Sequence, residues 1–190
     1  MRRANLSWLL LLLMTAMIVL FPVERAKAAA LTIPTPVNGW KFSTGKTVRY
    51  FFSSGFSSEQ KAIIRNGFSM WNGYGNVSVV ETTSASLADI NVISTTILFS
   101  GALGEAFHPI YGGSENSPSG YTKRTIAFYT NNLPSAPNAI WRTTACHEMG
   151  HQLGLAHNTT TNASVMRSSI DLCAASPQYV DYLTIQTIYP

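Results

Sequence analysis

Three of the four histidines in this 190-residue sequence fall in one short run, His147-Glu-Met-Gly-His151-Gln-Leu-Gly154-Leu-Ala-His157. His147 and His151 are four apart, so on a helix they share a face and can reach one ion. Glu148 follows the first of them, about 100° further round the axis. That places its carboxylate beside such an ion rather than among its ligands. Gly154 lets the helix stop in a left-handed cap, and the turn can bring His157 back as a third ligand. Three neutral imidazoles suit Zn²⁺ and leave a fourth position open for water. Zinc lowers the pKa of that water toward ~7 and polarises a carbonyl. Glu148 would then act as general base, taking the water's proton and passing it to a leaving amine. The run predicts amide hydrolysis without a covalent intermediate.

The elements that must position these residues are legible in outline. Asn138 and Ala139 follow Pro137, and a helix is expected to begin there and carry the histidines. Ser57 to Asn72 reads as an earlier helix: Ser57 and Gln60 suit a capping box, and Ile63, Ile64, Phe68 and Trp71 recur at helical spacing as a core face. Gly73 and Gly75 end it. A last helix is expected over 177–189, with Ser176 as N-cap and Pro177 in the first position. Strands are expected at Val48–Phe52, Val77–Glu81, Ala88–Ile93, Ile97–Phe99 and Thr125–Tyr129. Gly112 to Gly120 reads as a surface loop. Strands first and helices later give an α+β domain.

The N-terminus has another character. Arg2 and Arg3 precede an apolar run from Leu6 to Phe21, and Ala28, Ala29 and Ala30 follow. This is the layout of a signal peptide over residues 1–28, with cleavage as late as 30; a membrane anchor is the alternative. Residues 29–38, with Pro34 and Pro36, form an extended lead-in. Cleavage after Ala28 removes four of thirteen basic and one of nine acidic side chains, so the formal charge falls from +4 to +1. No basic patch remains to bind nucleic acid. Export also permits a disulfide. Cys146 and Cys173 are either bridged, which stabilises by about 3 kcal/mol through loop closure, or two free buried thiols.

The pattern H-E-x-x-H-x-x-G-x-x-H resembles the metzincin signature of zinc proteases. Ser164-Val165-Met166 is similar to the tight methionine turn that underlies the metal in that clan. Within it the chain resembles the matrixins, the matrix-metalloproteinase-like branch, including their short bacterial members. Residues 39–190 would then be the catalytic domain: a small twisted mixed sheet with an N-terminal helix, a catalytic helix and a C-terminal helix. The resemblance implies that Met166 packs under the histidines and that Asp181 bonds to the methionine turn. It extends to Trp40, to Ala88-Asp89-Ile90, and to Gly101–Pro109, which is similar to the strand that pairs with substrate.

Departures from the family pattern are equally specific. No cysteine stands in residues 29–39, so a cysteine-switch propeptide is not expected. A structural zinc lacks ligands, because only His108 remains and Glu105 stands where one such histidine would be placed. Carboxylates are too few and scattered for calcium. Arg167-Ser168-Ser169-Ile170 replaces the family's Pro-x-Tyr wall, and Ser168 stands where astacins and serralysins carry tyrosine. The reading that results is a secreted, monomeric zinc endopeptidase acting on protein or peptide segments, with no stable membrane association after signal cleavage. The alternatives are a secreted binding protein on the same scaffold and a processing protease with a single target.

Overall fold

A computed structural model of the chain describes residues 41–43, 45–53, 55–98, 100–108, 123–159 and 163–190. The signal peptide, the lead-in, Trp40, Phe99, Pro109 and the expected loop at Gly112–Gly120 lie outside them. Five strands run as β1 (Thr47–Phe52), β2 (Ser78–Glu81), β3 (Ile90–Thr95), β4 (Gly104–Phe107) and β5 (Arg124–Tyr129), with helices α1 (Ser58–Ser69), α2 (Ala139–Gln152) and α3 (Tyr179–Ile188). The sheet order is β2-β1-β3-β5-β4. β1, β2, β3 and β5 pair in parallel, and β4 pairs with β5 antiparallel, Glu105 opposite Ala127. A mixed sheet with three helices is the expected α+β architecture.

Alternation decides which sheet face meets the helices. Val48, Tyr50 and Phe52 of β1, Ile90 and Val92 of β3, and Ile126 and Phe128 of β5 join one core with Ile64, Phe68, Trp141, Ala145, Met149 and Ile185. Phe107, Ala127 and Tyr129 form a smaller cluster with Ile93 and Ile97. α1 is capped as expected: Gln60 N–H donates to Ser57 Oγ, and Ser57 N–H donates to Gln60 Oε1. Ile64, Phe68 and Trp71 are fully buried. The Trp71 indole donates to the carbonyl of Cys146 at 2.8 Å, tying the end of α1 to the helix that carries the histidines.

The two helices cross at Gly67, where a Cβ would stand 2.5 Å from the Arg142 carbonyl and 2.7 Å from the Ala145 side chain. Gly67→Ala must therefore part α1 from α2. The expected cost is about 1–3 kcal/mol of overpacking, or about 2–4 °C in Tm for each kcal/mol in a domain of this length. Thermal unfolding checks it, and an unchanged Tm would contradict so close a crossing.

Three expectations need correction. No strand forms at Ile97: the chain leaves the sheet after Thr95, and the Asn131 side chain bonds both Ile97 N–H and Ile97 C=O. A side-chain amide thus takes the place of a strand partner. β3 starts at Ile90 rather than Ala88, because a 3-10 turn at Ala85–Leu87 precedes it. The last helix begins at Tyr179, with Gln178 rather than Ser176 at its cap. There the Asp181 carboxylate reaches back to Gln178 N–H at 2.8 Å, and Pro177 lies outside the helix.

Candidate metal centre

α2 opens on Asn138, whose side-chain oxygen accepts from Ile140 N–H at 2.9 Å. Its third and fourth turns carry His147, Glu148 and His151, and it closes at Gln152 with Leu153 as C-cap. Gly154 follows at φ +101°, a left-handed conformation that L side chains rarely adopt. Leu155 N–H then bonds back to the Gly150 carbonyl at 3.0 Å, and the reversed chain returns His157 to the helix.

Among the described residues, His147, His151 and His157 form a cluster able to hold a metal ion. Their Nε2 atoms lie 3.1 Å (147–151), 3.2 Å (151–157) and 3.3 Å (147–157) apart. Zinc–nitrogen bonds of 2.0–2.1 Å in a tetrahedron put ligand atoms about 3.4 Å apart, so the triangle is the right size for one zinc. The far sides of two rings are fixed as well: His147 Nδ1 stands 2.8 Å from the Val165 carbonyl and His151 Nδ1 2.8 Å from the Leu155 carbonyl. A carbonyl can only accept, so both rings carry their proton on Nδ1 and turn the Nε2 lone pair toward the shared point. Burial also disfavours the imidazolium. It pushes His147 down to about 4, lowers His151 well below the ordinary range with help from its two neighbours, and lowers His157. Metal ligation requires that neutral form.

Glu148, the next residue after His147 on α2, is buried. Burial pushes its carboxyl up to about 8; the Glu105 carboxylate adds to the rise and a hydrogen bond from the Ala106 backbone opposes it. β4 is pressed against it, since a Cβ on Gly104 would stand 3.1 Å from Glu148 Cγ.

Ser164, Val165 and Met166 are fully buried. The Met166 sulfur occupies the space into which a side chain at Gly150 would grow. Asp181, also fully buried, accepts from Ser164 Oγ at 2.6 Å and from Val165 N–H at 3.1 Å. That fixes Val165, whose carbonyl holds His147. Cys146 and Cys173 stand as separate thiols, the first buried and the second partly exposed. Cys173 Sγ lies 3.2 Å from the Val165 carbonyl and 3.9 Å from His147 Nδ1.

The Glu105 carboxylate accepts from the Tyr129 hydroxyl at 2.7 Å. His108 is buried at the end of β4 and lies apart from the three-histidine cluster. Sequence reasoning missed the backbone partners of the site: Ala106 N–H, Val165 C=O, Leu155 C=O, and Met166 C=O, which accepts from Asn158 N–H at 2.7 Å. Backbone groups are common to all residues and leave no signal in a sequence.

The matrixin family model matches residues 44–190. Serralysin of Photorhabdus luminescens is 32% identical over 113 residues, 58% of this chain and 22% of that protein. Metallopeptidase AprA of Pseudomonas marginalis is 32% identical over 110 residues, 58% of this chain and 23% of that protein. The chain thus spans less than a quarter of the length of these relatives. Two solved structures of myroilysin superpose with TM-scores of 0.59 and 0.60 at 16% identity, covering 82% of this chain and 98% and 88% of theirs. At that identity the likeness concerns the fold.

Proposed function

The chain belongs to the matrixin family, and from that premise we propose that it is an exported zinc endopeptidase cutting internal peptide bonds of protein or peptide substrates. The observation that carries this reading is the Nε2 triangle of His147, His151 and His157, with Glu148 buried as the next residue after His147. Zinc held there supplies Lewis acidity, polarising a peptide carbonyl and making water a competent nucleophile near neutral pH.

The chain's own residues do the rest. His147 and His151 are aimed by the carbonyls of Val165 and Leu155. Glu148 takes the proton of the attacking water and returns it to the departing amine nitrogen. The Ala106 N–H steadies that carboxyl on the side of β4. Asp181 holds Ser164 and Val165 in place beneath the first histidine.

Export rests on the basic start, apolar run and alanine stretch of residues 1–30. Among the described residues, no helix is long and apolar enough to cross a membrane. The reading takes the exported chain to be a monomer, with Cys146 and Cys173 as thiols that can be bridged on export.

One experiment addresses both parts. Protein recovered from culture medium is sequenced from its N-terminus, then incubated with a mixed-sequence peptide library, with and without a zinc chelator. The expected result is a first residue at 29 or 31 and internal cleavage that the chelator abolishes and added zinc restores. An intact Met1 refutes signal cleavage. A folded, zinc-loaded chain that cuts nothing refutes the general endopeptidase and leaves a binding protein or a single-target protease.

A further inference from the structure

We propose that Arg167 is a positioning residue for the third metal ligand: its guanidinium holds the backbone just beyond His157 and so sets where that ring stands. The inference rests on the reading of His147, His151 and His157 as zinc ligands.

The three ligands are not equally secured. His147 and His151 sit one turn apart on a capped helix, and each has its Nδ1 against a carbonyl. His157 is exposed and lies beyond Gly154, off the helix. Its position depends on how the loop is tied on either side. On the near side Leu155 is fully buried, its N–H bonded to Gly150 and its carbonyl to His151. On the far side the tie is Asn158, the very next residue, which is also buried. Its N–H donates to the Met166 carbonyl at 2.7 Å, and its carbonyl accepts from Arg167 Nη1 at 3.1 Å.

These two bonds grip Asn158 from adjacent residues of the methionine turn. The first is backbone to backbone and tolerates any side chain. The second depends on the residue being arginine, and a bond from a charged donor is stronger than a neutral one. Arg167 is itself anchored: Met166 before it is fully buried, and with Cys173 as a free thiol its own carbonyl accepts that S–H at 3.1 Å. A ligand on a loop loses more affinity to slack than one on a helix, because binding must then order the loop. Arg167 removes that slack on the side away from the helix.

The test uses the exported chain in three forms: wild type, Arg167→Ala, and Arg167→Lys, which keeps a charged donor. Zinc affinity is measured by competition with a chromophoric chelator, and Tm is measured on the metal-free proteins. Removing a group that orients a ligand weakens metal binding by about 10–100-fold, and because Arg167 acts through the neighbouring peptide the expected loss in Arg167→Ala is about tenfold. Arg167→Lys should recover part of it, while the metal-free Tm values stay together. Equal zinc affinity in all three forms overturns the inference, as does a fall in metal-free Tm with no change in affinity, which marks a purely structural role. A wild type that fails to bind one zinc refutes the ligand assignment itself, an outcome separate from any difference among the variants.

Discussion

Glu148→Ala should keep one zinc per chain and lose about 10²–10⁴-fold in peptide hydrolysis, the range that a positioned general acid–base group contributes. The metal is retained because the Nε2 triangle is built without Glu148; the two helical histidines are oriented by Val165 and Leu155. Activity is lost because no other described carboxyl takes its place. Glu105 stands near enough to raise the Glu148 carboxyl, yet its own carboxylate is engaged by Tyr129. The variant should fold. Burial disfavours the charged form of this carboxyl, so alanine removes a desolvation penalty along with some packing. Glu148→Gln, which keeps the shape, should lose activity alike. Zinc content by atomic absorption and turnover on the same preparation check the pair of statements. Full turnover in either variant would falsify Glu148 as the base.

His147→Ala should fail at the earlier step and lose the metal. With His147 gone, only His151 and His157 remain, and two imidazoles do not make the three-ligand set of a catalytic zinc site. The loss is compounded at Val165, whose carbonyl accepts His147 Nδ1 and lies 3.2 Å from the Cys173 thiol. Zinc should fall well below one per chain after dialysis, and hydrolysis with it. Zinc-linked thermal stabilisation should vanish too, since a ligand stabilises only what it binds. One retained zinc per chain would remove His147 from the ligand set. The two variants separate binding from chemistry: Glu148→Ala has metal without turnover, and His147→Ala has neither.

Some of this was readable because chemistry imposes spacing. A helix brings residues four apart together, so His147 and His151 declare a shared ligand without any knowledge of the fold. Gly154 marks the turn for the same local reason, and its φ of +101° is what that glycine permits. The capping box at Ser57 and Gln60 and the core face of Ile64, Phe68 and Trp71 are likewise local, and they stand as read. Two misreadings arose where a side chain claimed a backbone group that the local pattern had assigned elsewhere. Ile97 has the side-chain pattern of a strand, but Asn131, far along the chain, supplies its partner. Pro177 suits a helix start, but Asp181 selects Gln178 as the cap while also holding Ser164 and Val165. One carboxylate thus joins the last helix to the methionine turn.

The sequence by itself therefore named the proposed ligand set and base, and determined the metal suited to them and the kind of domain that carries them, because each follows from residue type at short separation. Tertiary structure decided how the site is held. It set the 3.1–3.3 Å triangle, chose which ring nitrogen carries the proton, and pressed β4 against Glu148. It also brought Arg167 to the carbonyl beyond His157. Those contacts depend on backbone atoms and on residues far apart in the chain. A backbone carbonyl has the same chemistry at every position, so only folding specifies which one meets a histidine.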